Sequence, residues 1–326
     1  MFVVYVFGVC VRVLVTGAGG FLGGFIVYEL VRRGYDVIAL DNMSRAGYGI
    51  ELLRDLGIEV VVKDVRDDLS DVLGGVDTVV HAAAYVDVEE SVREPDTYMD
   101  NNVVGTARLL KSCLRRGIHR FIFISSAAVY GDPKYLPIDE EHPLNPISPY
   151  GVSKVASELL IKSLSTTYRE LKPTILRPFN IYGPGQNPSY AGVITKFAER
   201  LLRGQPPVIY GDGEQTRDFI YVTDVARAVV KVLESDASIG KTYNVGTGKP
   251  ITINQLARLM MEIAGLNLRP IYEHPRPGDI RHSYASIEKI REEIGWEPII
   301  ELKEGIAKVI KWFRKFKRSY GLFRSS

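Results

Sequence analysis

A glycine-rich segment near the amino terminus, TGAGGFLG at residues 16–23, constrains the fold more than any other part of the sequence. It follows a short apolar run and precedes an amphipathic stretch, so the glycines stand where a strand turns into a helix. Gly17 permits the tight turn, Gly20 lets the backbone approach a pyrophosphate, and Gly23 lets the helix pack closely on the strand. The segment therefore predicts a dinucleotide-binding turn, with the phosphates at the amino terminus of the first helix.

After this segment, short β-branched runs alternate with longer amphipathic stretches. This alternation predicts an α/β fold with a doubly wound parallel sheet, the Rossmann arrangement. The runs are nearly all apolar, as parallel strands buried on both faces are. Three glycines that follow apolar positions, Gly34, Gly57 and Gly117, predict helix ends. The predicted strands are residues 11–16, 36–40, 58–62, 78–81 and 120–125, and the predicted helices are residues 21–33, 51–56 and 95–116.

A change of pattern near residue 178 predicts a smaller C-terminal α/β lobe that binds substrate. Residues 177–188 are rich in Pro, Gly and Asn, which predicts a long loop. Residues 218–233 resemble a strand and a helix that return to the sheet. The predicted lobe helices are residues 191–203, 253–264 and 301–317, and its strands are residues 208–210 and 242–245. The predicted domains are an extension at 1–10, a dinucleotide-binding Rossmann domain at 11–177 with a return at about 218–235, and the smaller lobe, mainly at 178–320.

Composition and charge exclude several classes of protein. The chain has 326 residues, with 41 basic and 39 acidic residues mixed along it, so nucleic-acid binding is not expected. Residues 2–11 are apolar, but they lack the basic region of a signal peptide and are shorter than the roughly 20 residues of a membrane span. We expect residues 1–10 to lie outside the fold, and an added edge strand or dimer contact is the alternative.

The two cysteines, Cys10 and Cys113, show no metal-ligand spacing. We therefore expect a reduced, cytoplasmic protein without a structural metal, and a single disulfide is the alternative. Near the carboxyl terminus, Ile306, Val309 and Phe313 share one face of a basic amphipathic helix. We expect this helix to dock on its own domain rather than on a membrane surface.

Asp41 ends the predicted second strand, 18 residues after Gly23. A carboxylate at that place hydrogen-bonds the adenosine ribose hydroxyls and repels a 2′-phosphate, which favours NAD over NADP. Arg45 lies nearby and in principle could hold a 2′-phosphate, so NADP remains the alternative. Asp64 and Val65 follow the third strand, where they would meet the edge of the adenine.

The second strong signal is the sequence YGVSK, in which Tyr150 and Lys154 are four residues apart and share one face of a helix. Pro149 fits the first helical turn and Ser148 the N-cap. A tyrosine with the ordinary pKa of about 10 is a poor base at neutral pH. A nearby ammonium and an oxidised nicotinamide would favour the phenolate. We therefore expect Tyr150 to take a proton from a substrate hydroxyl.

Together these motifs resemble the extended short-chain dehydrogenase/reductase family and, within it, the UDP-glucose (UDP-galactose) 4-epimerases. The resemblance runs from about residue 11 to about residue 317. Its marks are TGAGGFLG (16–23), DNMS (41–44), DVRD (64–67), HAAAYVDVEESVREP (81–95), NNVVGT (101–106), SSAAVYGD (125–132), SPYGVSK (148–154), LRPFNIYGPGQ (176–186), RDFIYVTD (217–224), YNVGTG (243–248) and RPGD (276–279).

The resemblance also implies that the Rossmann domain at 11–177 binds NAD, that the lobe at 178–320 binds the nucleotide sugar, and which residues form the site. Ser126 would bind the reacting 4-oxygen and, with Lys154, help Tyr150 to pass the proton. Arginines would grip the diphosphate with paired donors, and a homodimer would form through the helices at 95–116 and 148–169. The implied NAD-binding residues are Gly17, Gly20, Phe21, Leu22, Gly23, Asp41, Asn42, Asp64, Val65, Ala82, Ala83, Ala84, Asn102, Tyr150, Lys154 and Pro178. The implied UDP-sugar-binding residues are Ser126, Tyr150, Asn180, Val208, Tyr210, Arg217, Arg276, Asp279 and Ser283, with Tyr210 against the uracil.

The implied reaction is inversion at C4 of a UDP-hexose, UDP-galactose or UDP-glucose, through a transient 4-keto sugar with bound NAD. Related 4,6-dehydratases carry an acidic residue where Ala127 and Ala128 stand here, which disfavours dehydration. Ser283 falls where sugar size is limited, so UDP-GlcNAc/UDP-GalNAc and UDP-glucuronate remain alternative substrates. An NAD-dependent sugar dehydrogenase is a further alternative. A non-catalytic dinucleotide sensor is disfavoured because Tyr150 and Lys154 are both present.

Overall fold

A seven-stranded parallel sheet forms the centre of the computed structural model, which describes the backbone of residues 5–6, 9–187, 192–275 and 278–320 and the side chains of residues 11–187, 192–275 and 278–315. The strands within these residues are β1 (Tyr5–Val6), β2 (Val9–Cys10), β3 (Arg12–Thr16), β4 (Asp36–Asp41), β5 (Val60–Val62), β6 (Thr78–His81), β7 (Arg120–Ile124), β8 (Lys172–Pro178), β9 (Asn180–Tyr182), β10 (Val208–Tyr210), β11 (Thr216–Arg217), β12 (Phe219–Tyr221), β13 (Thr242–Val245), β14 (Ile251–Thr252), β15 (Ile271–Glu273) and β16 (His282–Ser283). The α-helices are α1 (Phe21–Arg32), α2 (Tyr48–Asp55), α3 (Val88–Arg93), α4 (Pro95–Tyr98), α5 (Gly105–Arg115), α6 (Pro149–Thr167), α7 (Val193–Leu202), α8 (Val222–Leu233), α9 (Ile253–Ala264), α10 (Glu288–Ile294) and α11 (Leu302–Tyr320).

The central sheet reverses its direction of growth at β3, its first strand in chain order. Its strand order is β13-β8-β7-β6-β3-β4-β5, so the chain runs outwards from β3 through β4 and β5 and then crosses to β6 on the other side. Neighbouring strands are parallel throughout. The reversal leaves a crevice at the carboxyl ends of β3 and β6, where open α/β sheets bind their ligands. The predicted doubly wound parallel sheet is confirmed.

Alternate residues of each central strand face opposite layers of helices. In β3, Val13 and Val15 pack in one apolar cluster with residues of α1 and α8, whereas Leu14 packs in a second cluster with residues of α5 and α6. Both faces are therefore covered, which explains why the strands are apolar throughout. Each fully buried side chain of this kind contributes about 1.5–3 kcal/mol to folding.

The C-terminal lobe has an apolar cluster of its own. Residues of α7, α9 and α11 pack there around β9 and β12, which pair in parallel. α8 follows β12 and packs on α1 of the central domain, so the chain returns from the lobe to the sheet. The other small sheets of the lobe are β10–β15 and β14–β11–β16.

Two predictions about the border between sheet and lobe are wrong. The predicted lobe strand at 242–245 is β13, which pairs with β8 at the edge of the central sheet. The predicted loop at 177–188 contains the end of β8 and all of β9. β8 was not predicted from the sequence. Pro173 and Pro178 lie within it, and proline inside an apolar run argues against a strand in the interior of a sheet.

The predicted helix at 95–116 is also wrong as a single helix. α4 is followed by a π-helix at Met99–Val104, and only then does α5 begin. π-turns are rare and frequently stand at functional sites. The helix predicted at 51–56 begins earlier, at Tyr48. The three glycines predicted to end helices do so, with φ angles of 85°, 69° and 71° at Gly34, Gly57 and Gly117.

β1 and β2 form an antiparallel hairpin with each other and are not joined to the central sheet. The placement of residues 1–10 outside the domain stays a prediction. In the described part of the chain, no helix has both the length and the apolar character needed to cross a membrane. Cys113 is buried and forms no disulfide, and the side chain of Cys10 lies outside the described residues.

Candidate active site

The glycine turn between β3 and α1 has the shape of an anion site. Gly17 has a φ of 71°, which favours glycine, and a Cβ there would stand 2.7 Å from the nitrogen of Ala83. A Cβ on Gly23 would stand 1.9 Å from the carbonyl oxygen of Gly17. α1 begins at Phe21, and its N-cap residue, Gly20, makes no side-chain hydrogen bond to the first turn of the helix. The N–H groups of its first turn are therefore available to a ligand, and the turn fits a dinucleotide pyrophosphate.

Asp41 closes β4 beside the glycine turn. Its Oδ2 accepts a hydrogen bond from the nitrogen of Gly19 at 3.0 Å, and its Oδ1 accepts one from Met43 at 2.7 Å. Burial raises the pKa of this carboxyl, and the two hydrogen bonds act in the opposite direction. The carboxylate is thus fixed in place, and its remaining lone pairs are free to accept ribose hydroxyls.

Asp64 and Val65 follow β5, as predicted, but other residues of the protein already contact them. The Asp64 carboxylate accepts hydrogen bonds from Asn42 at 2.7 Å and from Arg66 at 2.8 Å. The hydrogen bond from Arg66 lowers the pKa of Asp64 well below its usual range. Val65 is buried in the cluster on the α5 face of the sheet. Asn42 and Asp64 are therefore joined by a hydrogen bond and form one polar surface.

A buried hydrogen-bond chain runs beneath the predicted cofactor cleft, and the sequence analysis did not identify it. The nitrogen of Ala83 donates to Thr16 Oγ1 at 3.2 Å, and Thr16 Oγ1 lies 2.7 Å from His81 Nδ1. His81 Nε2 lies 2.9 Å from Thr106 Oγ1, which donates to the carbonyl oxygen of Asn102 at 2.5 Å. These partners place the imidazole proton on Nε2. Burial lowers the pKa of His81 to about 3 and so keeps it neutral.

Asn102 lies in the π-helix and connects two parts of the site. Its Oδ1 accepts from the nitrogen of Tyr85 at 2.9 Å and from Asn101 at 2.9 Å. Its Nδ2 donates to the oxygen of Tyr85 at 3.0 Å and to Ser153 Oγ at 2.9 Å. Every hydrogen-bonding position of the amide is therefore used within the protein. Asn102 ties the segment after β6 to α6 rather than offering its amide to a ligand.

The start of α6 is built as the sequence predicted. Pro149 occupies the first turn, and Ser148 caps the helix by accepting a hydrogen bond from the nitrogen of Gly151 at 3.1 Å. A Cβ on Gly151 would stand 2.7 Å from the carbonyl oxygen of Ala128. Glycine at this position therefore lets the helix approach the short 3-10 turn that follows β7.

Ser126, Tyr150 and Lys154 come together where β7 ends. Tyr150 is buried and hydrogen-bonds to Ser126. Lys154 Nζ donates to the carbonyl oxygen of Ile124 at 2.8 Å and lies 5.0 Å from the centre of the Phe123 ring. The predicted catalytic residues are thus neighbours at the carboxyl edge of the sheet, beside the crevice.

The electrostatics of this group differ from the prediction in one respect. Burial raises the pKa of Tyr150 above its ordinary value, and the hydrogen bond with Ser126 acts in the opposite direction. Burial also lowers the pKa of Lys154 to about 7, although the nearby Glu158 raises it. The expected phenolate is therefore not favoured by the protein alone. Tyr150 is a neutral phenol until a further positive charge enters the site.

A buried ion pair lies directly behind the catalytic residues. Arg177 donates to both oxygens of Glu158, at 2.9 and 2.6 Å, and the two side chains are 2% and 0% exposed. Glu158 also accepts a hydrogen bond from Ser125 Oγ at 2.5 Å, and Ser125 precedes Ser126. Arg177 further donates to the hydroxyl of Tyr130 at 2.9 Å. The pair therefore fixes the end of β7 against α6 and β8.

Five predicted substrate residues line one cleft between β9, β10 and β11. The cleft has a volume of about 230 Å³, and it adjoins a larger open depression of about 1100 Å³ with which it shares Tyr210, Gln215 and Asp279. β8 runs beside β7 and leads through Pro178 to β9, so the cleft begins next to the catalytic group. The predicted residues that line it are Asn180, Val208, Tyr210, Arg217 and Asp279.

Two of these residues bind each other in this structure. Arg217 donates to Asp279, and burial lowers the pKa of Arg217 while Asp279 raises it. Ser283 lies beside Arg217, because β16 and β11 pair with these two residues in register. Arg276 lies outside the described residues. A nucleotide diphosphate would therefore have to share Arg217 with Asp279.

Gln215 is a cleft residue that the sequence analysis missed. It is 8% exposed, its Nε2 donates to the carbonyl oxygen of Tyr210 at 2.8 Å, and its Oε1 is buried without a hydrogen-bond partner. A reversed amide would set two oxygens against each other, so the orientation is fixed. The available signal was its spacing of two from Arg217, since alternate residues of an extended segment face the same side.

Comparison with known proteins finds close relatives along almost the whole chain. The NAD dependent epimerase/dehydratase family profile matches residues 13–246. A presumed UDP-glucose 4-epimerase of Methanocaldococcus jannaschii is 42% identical, over 94% of this chain and 100% of that protein. The structure of the Thermotoga maritima UDP-glucose 4-epimerase with UDP-glucose is 38% identical, with a TM-score of 0.88, over 94% of this chain and 99% of that one. The UDP-N-acetylglucosamine 4-epimerase of Methanobrevibacter ruminantium, solved with UDP-N-acetylmuramic acid, is also 38% identical, with a TM-score of 0.88 and the same coverage of both chains.

Proposed function

We propose that this chain interconverts UDP-galactose and UDP-glucose by inverting C4. The chain belongs to the NAD dependent epimerase/dehydratase family and, within it, to the nucleotide-sugar 4-epimerases. The observation that carries the proposal is the group of Ser126, Tyr150 and Lys154 at the end of β7. This group lies at the carboxyl edge of the central sheet, as the glycine turn does, and β8 runs beside β7 and leads to β9 at the cleft. A UDP-sugar held in that cleft would extend its sugar towards the catalytic hydroxyls.

When bound, NAD supplies a reversible oxidation at C4, so that the sugar passes through a 4-keto form and no net redox change results. Tyr150 takes the proton from the sugar 4-hydroxyl and later returns it. Ser126 hydrogen-bonds to Tyr150 and can hold the 4-oxygen in line with it. Inversion requires the keto sugar to turn over in the site before the hydrogen is restored to C4 from the other side. The site must therefore hold the nucleotide firmly and the sugar loosely.

The buried positions of Tyr150 and Lys154 give the proton transfer a built-in condition. Burial raises the pKa of Tyr150 and lowers that of Lys154 to about 7, so the resting pair favours the neutral phenol. The positive charge of an oxidised nicotinamide, if the cofactor site holds it near Tyr150, would favour the phenolate. Tyr150 thus becomes a base when the oxidised cofactor is in place, which couples proton removal to oxidation at C4.

Two observations weigh against the alternative reactions. The 3-10 turn after Ser126 is Ala127–Val129, and it offers no titratable group for the extra acid and base that dehydration at C5 and C6 needs. The presence of both Tyr150 and Lys154 at one site opposes a non-catalytic sensor. An NAD-dependent sugar dehydrogenase would release an oxidised sugar and consume NAD in proportion to it, so it would form no UDP-glucose in the assay below.

A second substrate is favoured by one specific observation. Ser283 is a small residue in register with Arg217, which lines the cleft, and a small side chain there would leave room for an acetamido group on a bound sugar. UDP-GlcNAc and UDP-GalNAc are therefore the second candidate pair of substrates, and UDP-glucuronate is the third candidate substrate. Two solved structures of equal identity, 38%, are named for glucose and for N-acetylglucosamine, so these two structures do not decide between the substrates.

The proposed reaction is tested by incubating the purified protein with UDP-galactose without added cofactor and measuring UDP-glucose. UDP-GalNAc and UDP-glucuronate are assayed in parallel, and Tyr150→Phe is the control variant. We expect UDP-glucose at an equilibrium ratio, with a loss of about 10²- to 10⁴-fold in the variant. No product from any of the three substrates, with NAD supplied, would refute the epimerase proposal.

We also propose that two copies of the chain associate through α6, which lies in the predicted interface, and through α3 in place of the helix predicted at 95–116. These helices pack against each other, and they expose Val88, Val92, Val152 and Leu159 at 48%, 63%, 42% and 58%. Apolar residues gathered on neighbouring helices are typical of an interface. Light scattering should give a dimer for the wild type and a monomer for Leu159→Glu, while Val62→Glu at the sheet edge stays dimeric. A monomeric wild type would contradict the proposal.

The cytoplasm stays the predicted compartment of the protein.

A further inference from the structure

Arg45 lies at the rim of the cofactor site, four residues after Asp41. The loop that carries it is held against the glycine turn, because the nitrogen of Gly47 donates to the carbonyl oxygen of Gly19 at 2.8 Å. The Arg45 guanidinium lies 3.7 Å from the centre of the Tyr85 ring, and Tyr85 follows the alanines after β6. Arg45 therefore stands among the groups that would surround the adenosine ribose, within reach of a 2′-phosphate.

Glu90 holds the guanidinium of Arg45. Arg45 Nη1 donates to Glu90 Oε2 at 2.5 Å and Nη2 donates to Oε1 at 3.0 Å, which uses both carboxylate oxygens. Tyr98 also donates to Glu90 Oε2, at 2.8 Å. Asp87 caps α3 by accepting a hydrogen bond from the nitrogen of Glu90 at 2.6 Å, and this fixes where the carboxylate stands. The hydrogen bond from Arg45 lowers the pKa of Glu90, so the pair stays ionised at neutral pH.

We propose that Glu90 is a specificity residue for the cofactor: it holds Arg45 in a paired, stacked position and so withholds from NADP a cation that would bind its 2′-phosphate. The inference rests on the proposed placement of the adenosine ribose beside Asp41. Asp41 repels a 2′-phosphate directly, because its carboxylate is fixed by Gly19 and Met43. Glu90 acts through Arg45, by removing the attraction that would offset this repulsion. The chain therefore rejects NADP in two ways, and only the first is visible in the sequence motif.

The proposal differs from a purely structural role for the same pair. If Glu90 only braced the loop after β4 against α3, its loss would weaken both dinucleotides alike. If it withholds Arg45, its loss strengthens NADP in particular. A charge-assisted hydrogen bond to a phosphate is worth about 10- to 100-fold in affinity, and part of this gain is offset by Asp41.

The test is a calorimetric titration of cofactor-stripped protein with NAD⁺ and with NADP⁺. Glu90→Gln keeps the shape of the side chain and removes its charge, and Glu94→Gln makes the same charge change at an exposed position of the same segment. We expect Glu90→Gln to tighten NADP⁺ about tenfold and to change NAD⁺ by less than about threefold. Glu94→Gln should change neither. Equal weakening of both dinucleotides in Glu90→Gln, or no change in NADP⁺ affinity, would overturn the proposal.

Two further variants identify the group responsible. Adding Arg45→Met to Glu90→Gln should abolish the gain in NADP⁺ affinity, and a gain that survives the double substitution would overturn the role of Arg45. Asp41→Asn tests the placement of the ribose separately, because it should narrow the preference for NAD⁺ whether or not Glu90 is changed. If Asp41→Asn leaves the ratio of affinities unchanged, the proposed cofactor placement fails, whereas a negative result at Glu90 alone leaves that placement standing.

Discussion

Lys154 is expected to reduce the stability of the fold in which it works, and removing it should make the protein more stable at low pH. The side chain is 3% exposed, and burial lowers the pKa of its ammonium from 10.5 to about 7. Each pKa unit corresponds to about 1.4 kcal/mol, so a protonated Lys154 costs the folded state about 5 kcal/mol. Replacing Lys154 by Met removes that cost and fills a similar volume.

The sign of the effect depends on pH. Below pH 7 the lysine is protonated in both the folded and the unfolded chain, and the full cost falls on the folded state. Between pH 7 and pH 10.5 only the unfolded chain binds the proton, so the cost fades as the pH rises. The substitution also leaves the carbonyl oxygen of Ile124 without the donor it has at 2.8 Å, a loss of about 1–3 kcal/mol at every pH. The net gain is about 2–4 kcal/mol at low pH and a small loss at high pH.

Urea unfolding of cofactor-free protein at pH 6 and at pH 9.5 measures this difference, with the fluorescence of the buried Trp296 as the signal. Cofactor must be removed because a ligand bound to the folded state adds stability of its own. Lys154→Met should also abolish epimerase activity, while Lys111→Met, at an exposed position on α5, should change neither property. A stability difference between Lys154→Met and wild type that is the same at both pH values would refute the reasoning.

Three further changes test other parts of the site. Glu158→Gln leaves Arg177 buried without its charged partner and should lower the free energy of unfolding by about 3–5 kcal/mol. Adding Arg177→Met should restore part of this loss. A loss below about 1 kcal/mol in urea unfolding would contradict the expectation. Gln215→Leu removes an unpaired buried acceptor from the cleft and should raise KM for the UDP-sugar about tenfold with little change in kcat, so an unchanged KM would count against its contact with the nucleotide. Ser283→Tyr should reduce turnover of UDP-GalNAc more than that of UDP-galactose, and undiminished activity on the acetylated sugar would remove Ser283 from the specificity argument.

The buried charges at this site share a physical origin. Lys154, Glu158 and Arg177 are all removed from water behind one end of the sheet, where an unpaired charge is costly. The Glu158–Arg177 pair compensates itself, whereas the close partners of Lys154 within the described residues are a carbonyl oxygen and an aromatic face. An ammonium held in this way is easily neutralised. Its charge therefore responds to what else enters the site, which is the property that a proton-transfer group needs.

Much of the fold could be predicted from the sequence because its signals are local. The glycine turn at Gly17, Gly20 and Gly23 fixes a strand–helix unit, and strands buried on both faces are apolar without interruption. The edge strand β13 was predicted to belong to the C-terminal lobe, because it lies far along the chain and its pairing with β8 is what places it in the central sheet. β8 itself was hidden by two prolines. Pairing between distant segments carries no local sequence mark.

The catalytic residues could be named from one motif, but their surroundings could not. Tyr150 and Lys154 share a helix face, so their nearness follows from spacing alone. Arg177 and Glu158 meet across 19 residues of sequence and two elements, without a recognisable pattern. The π-helix at Asn102 depends on hydrogen bonds to segments 17 and 51 residues away. The raised pKa of Tyr150 comes from burial, which only the packed structure determines.

The central claim is that the hydrogen removed from C4 of the sugar returns to the same carbon on its opposite face, with Tyr150 handling the proton. UDP-galactose that carries deuterium at C4 tests it most directly, with the product examined by mass spectrometry and NMR. We expect UDP-glucose that retains the deuterium at C4, no exchange with water, and no measurable conversion by Tyr150→Phe on the same time scale. Loss of the label to solvent, or an oxidised sugar that accumulates in place of UDP-glucose, would contradict it.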